Sequence, residues 1–228
     1  QSVMQRHNIV LPDRELVAAP LDTAEGRAYL AAMQAAANFA FANRQVLAML
    51  VRESFDGVLA KAGLPTQLRQ VYDVAHNMAR VEEHPVDGVP TALCVHRKGA
   101  TRSFGPGHPS LPGRYRQTGQ PVMAPGDMGR YSFLLVGTET AMKETWGSTC
   151  HGAGRVMSRN EAIKKMRGDE VREQLARRGI VVRARGRDTL SEEASYAYKD
   201  VADVVDVCHG AGISRKVARM RPLGVAKG

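Results

Sequence analysis

The longest unbroken pattern in the chain runs from Ala24 to about Leu59. Leu30, Met33, Ala37, Phe41, Val46, Leu47 and Leu50 recur there at helical spacing, and Thr23 stands where a helix cap belongs. The density of alanine suggests close packing against neighbours, and Gly63-Leu64-Pro65 ends the run. This segment reads as scaffold, and the rest of the chain is of another kind.

Leu68 to Arg80 alternates at period two and predicts a strand with His76-Asn77 at its end. Val81 to Pro90 is acidic and reads as turns, Thr91 to Val95 as a short strand. His96-Arg97-Lys98-Gly99-Ala100-Thr101-Arg102 then offers either a phosphate clamp or an exposed basic turn. Gly105 to Pro125 reads as a loop too long for a passive connection. Beyond it, Tyr131 to Val136 predicts a strand, Asn160 to Arg178 helix with a break at Gly168, Ile180 to Arg183 a strand, Ser191 to Ala197 a short helix, and the residues from Lys216 an extended basic tail. Short helices mixed irregularly with strands, with no regular βαβ alternation, indicate an α+β fold. Neither a Walker A motif nor a dinucleotide fingerprint occurs.

The segment with the most chemistry is Thr145 to Arg159, Thr-Trp-Gly-Ser-Thr-Cys-His-Gly-Ala-Gly-Arg-Val-Met-Ser-Arg. Its small residues allow close backbone approach to a ligand around His151. Ser158 followed by Glu161 is a capping-box signature, so a Gly-rich loop opens into a helix start, a ready anion site flanked by Arg155 and Arg159. His151 is then a nucleophile or metal ligand in a phosphate pocket. The competing reading for His151 is a hydrogen-bonded structural histidine; Cys150 is an alternative nucleophile, against burial as a small hydrophobe. Cys208-His209-Gly210-Ala211-Gly212 repeats the pentapeptide at Cys150 and supplies a second candidate histidine.

The formal net charge is +9, and residues 151–228 carry 17 Lys and Arg against 10 Asp and Glu, while residues 1–150 carry 15 against 13. A basic excess gathered around and after the Gly-rich segment fits polyphosphate or nucleic acid. Three scattered cysteines fit a reducing cytoplasm, and no apolar run suits a membrane span or a signal core.

Six motifs in order, His76-Asn77-Met78-Ala79, His96 to Thr101, Pro125-Gly126-Asp127-Met128-Gly129, His151-Gly-Ala-Gly-Arg155, Tyr198-Lys199-Asp200 and the closing Arg221 to Gly228, resemble the C-terminal half of the RtcB family of RNA ligases, over essentially all 228 residues. The resemblance implies a ligase dependent on GTP and two Mn²⁺ ions. It would join RNA ending in a 2′,3′-cyclic phosphate or 3′-phosphate to RNA beginning with a 5′-hydroxyl, in tRNA splicing or RNA repair. His151 would attack the α-phosphate of GTP to form a histidine–GMP phosphoramidate. His76 would be a Mn²⁺ ligand and Asn77 a nucleotide contact. Pro125, Gly126, Asp127, Met128 and Ser132 would hold the guanylate. Gly152, Ala153 and Gly154 would cradle phosphate, Tyr198 would stack on guanine, and Lys227 would bind the nucleotide. Lys98, Arg155 and Arg159 would meet the RNA phosphate or a leaving group. An archease-type activator is a further implied partner. The implied architecture is a β-sandwich-like core of mixed strands flanked by helices.

The chain departs from the family pattern twice. Asp127 stands where members often have Ser. The family's other half, with an Asp-x-Gly-Cys-Gly motif and two further metal-binding histidines, is missing, so the chain is expected to be one piece of a longer protein whose single catalytic domain it half supplies. Two other functions stay open on the residues: a basic RNA-binding module without catalysis, and a metal-dependent phosphohydrolase using His151 with water.

Overall fold

The computed structural model describes every residue except Gln1, Arg14, Thr66 and Gly228, and Arg187 by its backbone alone. Gly228, the last residue of the closing motif, thus lies outside the described residues. The chain divides into two compact units, one of residues 1–73 with Met78–Val81, the other of Val74–Asn77 with residues 82–228.

The first unit is built on α1 (Ser2–Arg6) and α2 (Ala24–Lys61). As expected, Thr23 caps α2, its hydroxyl oxygen accepting from the Gly26 amide at 3.0 Å while donating to the Pro20 carbonyl at 2.7 Å. The strand expected over Leu68 to Arg80 does not begin until Asn77. The alternation upstream has another cause. Polar side chains of residues 68–73 and the Leu68 carbonyl bind side chains of α2 instead of pairing in a sheet: Arg44 Nε with Asp73 at 2.7 Å, Gln45 Nε2 with Gln70 at 3.2 Å, Arg52 Nε with the Leu68 carbonyl at 3.1 Å.

The second unit begins with β1 (Asn77–Val86), whose residues Met78–Val81 pack within the first unit, and β2 (Val89–Lys98), neighbours in a two-stranded ladder. Asp87 and Gly88 turn between them with φ of 51° and 80°, the left-handed pair that matches strand twist. The acidic stretch read as turns is therefore mostly strand. Glu82 is one reason, because Arg97 of β2 grips both its oxygens at 2.8 Å and makes the charge tolerable in a half-closed ladder.

Next come β3 (Ala100–Arg102), β4 (Pro121–Ala124), β5 (Ser132–Gly137), α3 (Glu139–Glu144) and β6 (Ser148–Cys150). The long loop before Pro125 is less irregular than expected. It holds a 3-10 turn at Gly113–Tyr115 and ends in β4, and its backbone bonds to itself, Gly107 N to Arg116 O at 2.7 Å and Gly119 N to Tyr115 O at 2.9 Å. The chain continues through α4 (Arg159–Lys165), α5 (Gly168–Arg177), β7 (Val181–Ala184), α6 (Arg187–Glu192), a 3-10 turn at Ser195–Ala197, α7 (Val201–Gly210), β8 (Ser214–Met220) and β9 (Gly224–Lys227). The short helix expected over Ser191 to Ala197 is split between α6 and that turn. The tail expected to be extended forms two strands.

β3 pairs antiparallel with β6, β4–β5–β8 form an antiparallel sheet, and β7 pairs parallel with β9. The fold is α+β. Two apolar clusters support it: Val122, Ala124, Phe133, Leu135, Ala153, Val201 and Val205 in one, Met128, Val171, Leu175, Ile180, Val182, Leu190 and Ala194 in the other. Val171 and Leu175, four apart on α5, show how a helix face feeds the second. Ala153 belongs to the first cluster and Met128 to the second, so the two candidate binding loops are each rooted in a core. No helix among the described residues is long and apolar enough to cross a membrane.

Candidate functional site

A cavity of about 250 Å³, at the lower edge of small-ligand clefts, is lined by Pro125, Gly126, Asp127, Met128, Ser132, Glu193, Tyr198, Pro222, Val225 and Lys227. Seven of these ten were expected to contact a nucleotide. Glu193, Pro222 and Val225 were not.

The loop from Pro125 is held in shape by its own residues. Gly126 comes so close to the Tyr131 carbonyl that a Cβ would lie 2.0 Å from that oxygen. The Gly126 amide donates to Ser132 Oγ at 3.4 Å. Asp127, whose side chain is fully buried, accepts from the amides of Gly129 and Arg130 at 2.9 and 3.0 Å, from Arg130 Nε at 2.5 Å and from the Ser195 hydroxyl. Its charge is therefore spent on the loop, which explains how a carboxylate is tolerated here. Arg130 in turn donates through Nη2 to the carbonyls of Ser195, Tyr198 and Lys199 at 2.9–3.0 Å, fastening the Tyr198 turn to the loop.

The His151 loop docks on the same loop from the other side. The Ala153 amide donates to the Pro125 carbonyl at 3.0 Å, and a Cβ on Gly152 would lie 2.7 Å from that oxygen. Beyond it, the chain is zipped to the Tyr198 turn: Lys199 N to Gly154 O at 3.0 Å, Val156 N to Ala197 O at 2.9 Å, with Arg155 and Tyr198 in an antiparallel bridge. The His151 ring stacks on that of His76, centroids 5.3 Å apart and planes 14° from parallel. Its edge faces Gly99, where a Cβ would lie 3.5 Å from the ring. Asn77 accepts from the Gly99 amide at 3.2 Å, setting a turn whose φ of 67° suits glycine. His76, Asn77 and His151 thus form one cluster, with exposed Lys98 beside it at the end of β2, and the His151–Gly154 loop joins that cluster to the cavity.

The expected phosphate cations separate. Arg159 is two-thirds exposed, near Glu192 and Glu193 at 3.8 and 3.9 Å. Arg155 is turned inward, donating to the Met157 carbonyl at 3.1 Å, the Tyr198 hydroxyl at 3.0 Å and the Glu192 carbonyl at 2.7 Å. Burial and the hydrogen bond to Glu193, opposed by Arg155, push the Tyr198 phenol up to about 12. Burial works to raise the Glu193 carboxyl, but Tyr198, Lys227 and Arg155 outweigh it and hold the group below the usual carboxylate range. The second pentapeptide takes a different form from the first. Its cysteine and histidine lie on the last turn of α7 and its final glycine has a φ of 74°, so His209 is an exposed helix-end residue away from the cavity lining.

The model of the family described as tRNA-splicing ligase RtcB matches residues 1–228. The chain belongs to the RtcB family. Among its relatives of that name, the protein of Archaeoglobus fulgidus is 56% identical over 99% of this chain and 47% of its own length. That of Thermococcus kodakarensis is 53% identical over 98% of the chain and 46% of its own length, and that of Methanococcus maripaludis 50% over 100% and 48%. The chain spans about half the length of these RtcB relatives. Among the described residues no group of three or more His, Cys, Asp or Glu is placed to hold a metal ion. His76, the expected metal ligand, therefore stands outside any such group.

Proposed function

We propose that this chain is the nucleotide-transfer portion of a GTP-dependent RNA ligase acting in tRNA splicing or RNA repair. The observation that carries the reading is the docking of the His151–Gly154 loop on the Pro125 carbonyl. It joins an imidazole to a cavity framed by Tyr198, Ser132 and Lys227. A ring above, a hydroxyl and a cation are what a guanylate asks for, and a neutral imidazole is a competent nucleophile near pH 7.

GTP is consumed and is written as a substrate. An imidazole nitrogen of His151 attacks the α-phosphorus, forming a P–N bond as the bond to pyrophosphate breaks. An RNA 3′-phosphate oxygen then takes the guanylyl group and frees the imidazole. The 5′-hydroxyl of the second RNA attacks the activated 3′-phosphorus, forming the phosphodiester and releasing GMP. Lys98 and Arg159, exposed cations near His151 and the cavity, are assigned to the RNA phosphate or pyrophosphate. Manganese would neutralise phosphate charge when bound. His76 would be one of its ligands.

Incubation with α-labelled GTP and Mn²⁺ tests this. The chain is joined for the purpose to the portion of the Archaeoglobus fulgidus relative that it does not cover. The expected result is an acid-labile, alkali-stable protein–GMP adduct that His151→Ala abolishes. Salt-dependent RNA binding with no adduct would favour a non-catalytic RNA-binding module instead, and released phosphate without adduct a hydrolase.

A further inference from the structure

Glu193 belongs to none of the motifs, yet four side chains meet on it. Its Oε2 accepts from the Tyr198 hydroxyl and from Lys227 Nζ at 3.2 Å, and its Oε1 lies 3.6 Å from Arg155 Nη1 and 3.9 Å from Arg159 Nε. Arg155 also lies over the Tyr198 ring, 4.9 Å from its centroid. These groups come from separate parts of the chain: the residue after α6, the turn before α7, the last strand, and the loop that follows His151. We propose that Glu193 is the positioning residue of the nucleotide pocket, fixing the Tyr198 ring and the Lys227 ammonium where a purine nucleotide meets them and, through Arg155, holding them in register with the loop that carries His151. The inference rests on the nucleotide reading above and names the group that organises the pocket without being its main contact.

The physical case is one of charge and direction. Three cations converge on a single carboxylate whose side chain is 16% exposed. Without its charge they repel one another, and the lysine on β9 loses the carboxylate it donates to at 3.2 Å. The Tyr198 hydroxyl accepts from Arg155 and donates to Glu193, so both of its hydrogen-bonding directions are fixed and the ring cannot tilt without breaking one. Glu193 is outside both apolar clusters, so replacing it changes the pocket without opening a cavity in the core.

The test is calorimetric binding of GMP by the full chain and by Glu193→Gln, Tyr198→Phe and the double variant, with a melting temperature for each. Loss of one charge-assisted contact set predicts about tenfold weaker binding for Glu193→Gln. The double variant should bind no more weakly than Glu193→Gln, because both changes break the same constraint. Wild-type binding should also weaken as pH falls below the usual carboxylate range, where the Glu193 carboxyl takes up a proton. Tyr198, Lys227, Arg155 and Arg159 face that carboxyl, with Glu192 beside Arg159 and Asp127 in the cavity, and the Gln variant removes Glu193 alone, so it should lack the acid step. Unchanged GMP affinity in Glu193→Gln, or losses that simply multiply in the double variant, would overturn the proposal. If the Gln variant melts far below wild type, Glu193→Asp, which keeps the charge, should restore the fold and most of the affinity. If it restores the fold but not the affinity, the role fails. If the wild-type chain binds no GMP, alone or joined to the portion of the Archaeoglobus fulgidus relative that it does not cover, the nucleotide reading fails separately. Amide exchange at Val225, Ala226 and Lys227 then decides the role of Glu193: protection lost there and kept in α5 upholds it, and unchanged protection refutes it.

Discussion

At the scale of single residues, Asp127 is the side chain whose place was hardest to foresee. A carboxylate in a loop expected to meet a nucleotide looks repulsive in a sequence, because the string does not show that Arg130, Ser195 and two backbone amides will surround it. Asp127→Ala leaves those donors and the Arg130 guanidinium without their acceptor. The expected cost is about 3 kcal/mol of stability, measured by urea unfolding, together with a loosened cavity. Asp127→Ser should lose less, since a hydroxyl can still accept from the Gly129 and Arg130 amides. Most of the cavity lining was legible because it falls in short motifs of unusual composition. Glu193 was not, because its meaning depends on Arg155 and Lys227 arriving from 38 residues before it and 34 after it, and no local pattern encodes such a meeting.

Single elements were legible where one local rule decides them and obscure where tertiary pairing does. Ser158 and Glu161 form the expected box, the Ser158 hydroxyl accepting from the Glu161 amide at 3.2 Å and Glu161 accepting from the Ser158 amide at 2.7 Å. Ser158→Ala should therefore destabilise the protein by about 1 kcal/mol and fray the first turn of α4, which presents Arg159. Circular dichroism melts would show the loss, and an unchanged melting temperature would mean the cap is idle. By contrast, residues 81–86 were misread because their acidic content masks a strand, and residues 68–73 because binding to a helix mimics strand alternation. Parallel pairing of β7 with β9, 43 residues apart at Val181 and Gly224, leaves no trace in either segment.

At the scale of the whole molecule, the Glu82–Arg97 pair is enclosed on both sides, its side chains 8% and 2% exposed, and it also binds Ser148, the Trp146 carbonyl and His84. Burial tends to raise the Glu82 carboxyl, yet Arg97 and His84 hold it below the usual range. A carboxyl depressed in the folded state stabilises fully above its unfolded pKa, and that stabilisation disappears as pH falls through the folded value. Glu82→Gln should thus cost about 3 kcal/mol near neutral pH while flattening the loss of stability with acid. Denaturant titrations across the acid range would show both effects, and an unchanged acid slope would rule out this source. In the first unit, α2 leaves Phe39, Val46, Leu47, Val51, Phe55 and Val58 about half or more exposed. The chain by itself should bind a hydrophobic dye and self-associate with rising concentration, which light scattering would detect. Gly126 lies hard against the Tyr131 carbonyl, and Gly152 against the Pro125 carbonyl. Neither glycine can take a side chain without shifting the main chain that holds the two loops together, so anyone reshaping what the cavity admits must work through the side chains of its wall, such as Ser132, Tyr198 or Lys227, and leave both glycines as they are.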